Sequence, residues 1–113
     1  MALTTDEERI SKIFQLQAEL CKSLADPKRL MIIQELKDGT KSVGELAELL
    51  GLKQSNTSQH LAVLRKAGVV TPDRQGNTVY YSLVTPKVAA ACGMVREVID
   101  EQLQRNQSLT GVI

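Results

Sequence analysis

Aromatic residues are nearly absent from this chain: one Phe, two Tyr and no Trp occur in 113 residues. Whatever core it builds is therefore aliphatic. Only two cysteines are present, Cys21 and Cys92, too few for a disulfide-built scaffold. A single histidine, His60, has no orienting carboxylate in its motif, and no nucleophile stands at useful spacing from a base. With no glycine-rich phosphate loop after a strand either, an enzyme is set aside and no cofactor site is expected. No stretch has the pattern of a signal peptide, a membrane span, a repeat or a low-complexity tract, so a cytoplasmic protein without a membrane partner is expected. A large excess of one charge is also missing: the net charge is +1, which excludes a globally basic nucleic-acid binder. The length fits one domain, residues 1–113, with a modest core.

What the chain does have is a helix-turn-helix pattern over residues 42–68. Ser42 and Glu45 have the spacing of a capping box. Leu46, Leu49 and Leu50 form an i, i+3, i+4 apolar face, and Gly51 stands where a left-handed residue ends the helix. A second helix runs from about Gln54 to Ala67, anchored by Leu61 and Leu64 and closed by Gly68. It opens on Gln54, Ser55, Asn56, Ser58, Gln59 and His60, a row of donors and acceptors of the right reach for base edges and phosphates. Lys53 stands where a Ser or Asp cap is usual and has the reach for a phosphate. Polar runs are more often solvated faces, but the glycine-punctuated helix pair and the segment that follows favour a reading head.

The composition of that segment predicts a β-hairpin. Val69–Thr71 and Val79–Leu83 are rich in β-branched and aromatic residues, with turn chemistry at Gly76-Asn77 between them. A hairpin directly after a recognition helix is a wing over residues 69–83, and Arg74 near its tip is placed at a phosphate or in the minor groove. Lys41, Ser42, Arg65 and Asn77 complete the expected DNA-binding set. Charge distribution agrees: residues 51–82 hold Lys53, Arg65, Lys66 and Arg74 against Asp73 alone, whereas residues 1–20 hold four acids against two bases.

Caps place the other helices. Thr5 with Glu8 suggests a capping box for a helix over about 6–22. Asp26-Pro27 opens a second helix ending near Gly39, and Thr85-Pro86 opens a last one over about 86–105. Residues 106–113 show no pattern and are expected to be a flexible tail. The expected order is α-α-α-α-β-β-α: mainly α with a small β-hairpin, a winged helix-turn-helix. Ile10, Ile13, Phe14, Leu20, Cys21 and Leu24 fall on one stripe of the first helix. Val88, Ala91, Cys92, Val95, Val98, Ile99 and Leu103 do so on the last. One small domain offers little core for both stripes, so a homodimer through the first and last helices is expected. Two recognition helices on a two-fold axis would then enter successive major grooves, about 34 Å apart, and read a palindromic operator in double-stranded DNA.

Leu24-Ala25-Asp26-Pro27-Lys28-Arg29-Leu30, Ser42-Val43-Gly44-Glu45-Leu46 and Gln54–Leu61, followed by Arg74–Tyr81, resemble the ArsR/SmtB family of winged-helix repressors, over about residues 18–105. The resemblance implies a homodimeric transcriptional repressor that leaves its operator when an inducer is sensed. Sensing sites vary in that family. One metal site uses a Cys-x-Cys pair before the recognition helix, where this chain has Val43-Gly44-Glu45-Leu46-Ala47. Another uses histidines of the last helix, which contains none here. No metal site is therefore expected from either. Cys21 and Cys92 remain: each alone reads as a buried core thiol, but as a pair near a dimer interface they are candidates for redox or reactive-sulfur sensing. A soft ion such as arsenite or Cu(I) would use the same thiols, though arsenite prefers a third. A winged-helix module that binds proteins and not DNA is the alternative of another class, and it would call for apolar or acidic residues on the recognition helix.

Overall fold

The computed structural model describes residues 5–110, with side chains through Asn106. Eight elements follow in order: α1 (Thr5–Leu24), α2 (Pro27–Leu36), β1 (Lys41–Ser42), α3 (Val43–Leu50), α4 (Gln54–Lys66), β2 (Val70–Gln75), β3 (Thr78–Leu83) and α5 (Lys87–Thr110). The winged helix-turn-helix is present, with one strand more than the sequence suggested. The two residues of β1 pair antiparallel with β3, Lys41 opposite Tyr81 and Ser42 opposite Tyr80, so the sheet order is β1-β3-β2. A two-residue strand has no alternation to detect; its pairing comes from β3 alone.

Local chemistry explains most boundaries. The carboxylate of Asp26 accepts hydrogen bonds from the backbone nitrogens of Lys28 (2.8 Å) and Arg29 (3.2 Å), and Pro27 follows as the first helical residue. At α3 the Ser42 hydroxyl accepts from the Glu45 nitrogen while the Glu45 carboxylate accepts from the Ser42 nitrogen, the expected capping box. Both helices of the pair end alike. Gly51 and Gly68 take left-handed φ values of 66° and 80°. The following nitrogens, of Leu52 and Val69, donate to the carbonyls of Ala47 and Leu64, each at 2.9 Å. Thr85 caps α5 by accepting from the Lys87 nitrogen at 3.3 Å.

Three boundaries differ from expectation. Thr5 already lies inside α1, so it is not the residue that caps it. The wing is longer than the hairpin read from the sequence: β2 continues through Asp73, Arg74 and Gln75, and Gln75 pairs with Thr78. Only Gly76 (φ +64°) and Asn77 turn the chain, as in a two-residue hairpin. The last helix continues to Thr110, because no glycine or proline interrupts residues 94–110. The first five residues of the expected tail are thus helical, and 111–113 lie outside the described residues.

The core is aliphatic. Ile32, Ile33 and Leu36 of α2, Leu46 of α3, Leu61 and Leu64 of α4, Val69 and Val70 at the entry to β2, and Ala89 of α5 form one buried cluster. Leu20, Leu24 and Val88 reach it from the near ends of the outer helices. Beyond those points α1 and α5 leave the body. The radius of gyration is 17.6 Å, against about 13 Å for a compact chain of this length. Among the described residues, no helix is long and apolar enough to cross a membrane.

Candidate nucleic-acid interface

The recognition helix α4 is held by one face and offers the other. Leu61, Leu64 and Thr57 are fully buried, at the i, i+4, i+7 spacing that turns one stripe inward. The Thr57 hydroxyl donates back to the Lys53 carbonyl at 2.9 Å, which satisfies it inside the core. Lys53, Gln54, Ser55, Asn56, Ser58 and Gln59 are all exposed. Lys53 precedes the helix in extended conformation and no side chain caps the first turn. The helix N-terminus therefore presents N–H groups and positive dipole on the same side as the polar row, an arrangement suited to a phosphate.

The wing stands beside it. Ser42, Val43 and Gly44 at the start of α3, Gln54 at the start of α4, and Asn77, Thr78 and Val79 of the hairpin line one open cleft of about 380 Å³. Three of the expected DNA-binding residues, Ser42, Gln54 and Asn77, are thus brought to one concave surface. Arg74 is exposed on β2 opposite Val79, and Arg65 is exposed in the last turn of α4. An exposed polar helix flanked by a hairpin that exposes Arg74 has the shape to enter a major groove with the wing over the adjoining backbone.

Three members of the expected set also make contacts within the chain. Ser42 is buried, and its hydroxyl holds the α3 cap, so it shapes the interface from beneath. The Lys41 ammonium donates to the Glu35 carbonyl at 2.9 Å, tying β1 to the end of α2. His60 is half-buried, with Nδ1 3.3 Å from a terminal nitrogen of Arg29. Both carboxylates of the helix starts are held below their ordinary range. At Asp26 partial loss of hydration pushes up, but the Arg29 and Lys28 backbone N–H groups, with the charges of His60 and Arg29, outweigh it. At Glu45 the Ser42 backbone N–H and hydroxyl do the same, helped by the charge of Lys41 against partial desolvation.

The model of the bacterial regulatory proteins of the arsR family matches residues 26–71, from the α2 cap into β2. An uncharacterised helix-turn-helix regulator, Rv0081 of Mycobacterium tuberculosis, is 43% identical over 88 residues, 77% of each chain. The chain belongs to the ArsR family. It is a DNA-binding transcriptional regulator with a winged helix-turn-helix fold, and not an enzyme. The crystal structure of Rv0081 superimposes with a TM-score of 0.74, covering 83% of this chain and 95% of that one. The homodimeric winged helix-turn-helix DNA-binding domain of Mb0332 from Mycobacterium bovis gives a TM-score of 0.78 at 30% identity, covering 93% and 95%. HlyU of Vibrio cholerae, described as a transcriptional activator, is 45% identical over 71 residues, 63% of this chain and 66% of its own.

In this ArsR-family chain the two cysteines lie on the two outer helices. Cys21 is exposed on α1 and Cys92 half-buried on α5, and both are free thiols. Helix α1 packs chiefly on α4 and α5 chiefly on α2. Among the described residues no group of three His, Cys, Asp or Glu side chains is placed to hold a metal. Two residues that shape the interface were missed in the sequence. Thr57 sits inside the polar row but faces the core; its i−4 relation to the anchor Leu61 was the available signal. Arg29 lies 31 positions from His60, and no local pattern links them.

Proposed function

We propose that this regulator acts as a homodimer, joined through α1 and α5, whose two recognition helices read a palindromic operator and repress transcription by occupying it. One observation carries the proposal: both outer helices expose a continuous apolar stripe. Ile10, Ile13, Phe14 and Leu16 on α1, and Met94, Val95, Val98 and Ile99 on α5, are each about half to two-thirds exposed. Large apolar side chains in such density are interface residues awaiting a partner. A second copy supplies the same two stripes, which satisfies the self-complementarity that two-fold symmetry demands. The homodimeric state of the Mb0332 domain supports the same reading.

The test is binding to duplexes carrying two inverted half-sites, one half-site, or two half-sites displaced by five base pairs. A dimeric reader binds the first far more tightly than the others, because displacement by half a turn puts the second half-site on the wrong face. Equal affinity for all three would reject a two-fold reader. Gln59→Ala and Asn56→Ala should each remove about 1–3 kcal/mol of discrimination between operator and random DNA. Equal losses on both duplexes would take these side chains off the base edges. Cys21 and Cys92 lie on the two helices of this interface, so a thiol response through them would act on the dimer. Replacing both by Ser abolishes that response while operator binding persists; a double variant that still responds excludes the pair.

A further inference from the structure

Arg96 of α5 reaches across to α2 and finds a neutral partner. One terminal nitrogen of its guanidinium donates to the Gln34 side-chain oxygen at 2.7 Å, 62 positions away in the chain. The same nitrogen lies near Gly93, one turn back, where an added Cβ would stand 3.7 Å from it. Arg96 comes about two helical turns after Ala89, which is buried in the core, and so lies on the same face of α5. Val98, in the stripe proposed as the dimer face, is about half a turn further on, at the opposite side of the helix.

The Arg96–Gln34 contact borders an open groove of about 310 Å³ between α2, α3 and α5, lined by Leu30, Met31, Gln34, Glu35, Leu50 and Arg96. Small-molecule sites begin at about this size, 300–1,000 Å³. Half of the lining is apolar: Leu30 and Leu50 are half-buried and Met31 is 44% exposed. The guanidinium beside them carries five N–H donors and no acceptor, and the neutral amide oxygen occupies one. A carboxylate takes two in parallel, with a charge assistance that an amide lacks. The Gln34 amide nitrogen supplies a further donor. Glu35 contributes one acid, and the Lys41 ammonium lies 2.9 Å from the Glu35 backbone carbonyl. Two cations against one acid favour a ligand with a single negative charge over one with two.

We infer that this groove is a binding site for a small apolar monocarboxylate, its tail on Leu30, Met31 and Leu50 and its carboxylate on Arg96 and Gln34. An uncharged apolar molecule gains contact area there and nothing more. A carboxylate without a tail gains an ion pair at an exposed position, which water screens. Only the combination uses both parts of the groove. Because Arg96 lies on the face of α5 that looks toward its own α2, the site does not depend on the dimer.

The test uses the full chain carrying 13C-methyl methionine. Met31 lines the groove, whereas Met94 is 67% exposed on the proposed dimer stripe, so their methyl signals separate two apolar surfaces. Octanoate should move the Met31 signal, saturating at roughly millimolar concentration, and leave that of Met94 in place. Octan-1-ol has the tail without the charge, acetate the charge without the tail, and octanedioate a second charge. Each should bind at least about tenfold more weakly than octanoate. Arg96→Gln should lower octanoate affinity by at least about tenfold with unchanged circular dichroism, and Arg96→Lys, which keeps the charge but not the fork, should recover part of it. Should the glutamine variant not fold, the contrast between octanoate and octan-1-ol on the parent decides. A Met31 signal that octanoate does not move, movement of Met94 alone, equal affinity for octanoate and octan-1-ol, or undiminished binding by Arg96→Gln overturns the inference. Each of these results leaves DNA reading by α4 intact.

Discussion

The central body of this regulator and its two outer helices are both rich in large apolar residues and treat them in opposite ways. In the body Ile32, Leu46, Leu61 and Leu64 are completely buried. In α1 and α5 Phe14 is 65% exposed and Met94 67%. Helix α1 contributes no fully buried residue at all among those described. The body gathers its largest apolar side chains into one buried cluster, whereas the outer helices carry an apolar stripe that no described residue covers. One region holds the core, and the other is half of the proposed interface.

Substitutions should separate the two regions. The largest effect belongs to the body: Leu64→Ala removes a fully buried side chain and should cost about 2–5 kcal/mol, read as a lower denaturant midpoint. A loss under 1 kcal/mol would mean the cluster repacks and is not the organising core. In the outer helices, Phe14→Asp with Val98→Asp should split the dimer at micromolar concentration and keep the helical circular dichroism of the body. The parent's unfolding midpoint should rise with protein concentration, and that of the double variant should not. Global unfolding of the variant would show that the body does not stand alone.

Smaller changes sharpen the contrast further. Ser42→Ala deletes the α3 cap and should destabilise by about 0.5–2 kcal/mol. It should also weaken DNA binding by misplacing the cleft beneath the wing, although the side chain is buried. Unaltered DNA binding at equal helix content would separate the cap from the interface. The acid response comes last. The folded-state carboxylates of Asp26 and Glu45 lie below ordinary values of 3.8 and 4.5, so their stabilisation is present above those values and is lost as pH falls below them. A chain carrying Asp26→Asn and Glu45→Gln should show a shallower loss of stability below about pH 4.5 in an acid titration. Parallel curves would assign acid sensitivity to other groups.

Much of this organisation is legible along the chain because it rests on short-range chemistry. The caps at Asp26, Ser42 and Thr85, the left-handed turns at Gly51 and Gly68, and the polar start of α4 are each settled within about five residues. The apolar stripes of α1 and α5 were legible too, but not their division. Leu20, Leu24 and Val88 reach the core while Ile10, Phe14 and Val98 do not, and only the geometry of the body sets that boundary. What stayed hidden depends on partners distant in sequence. Strand β1 exists because β3 arrives beside it. The contact of His60 with Arg29, and that of Lys41 with the Glu35 carbonyl, have no local pattern that announces them. A polar residue's type shows what it can bind; its neighbours in the fold decide what it does bind.

The most direct test of the dimer account is the mass of the intact chain in solution by sedimentation equilibrium, free and on an inverted-repeat duplex. The account predicts twice the chain mass of 12.4 kDa in the absence of DNA at micromolar concentration, and two chains on each duplex. A single chain at tens of micromolar, bound singly to the same duplex, would contradict it and leave the exposed stripes of α1 and α5 without their proposed partner.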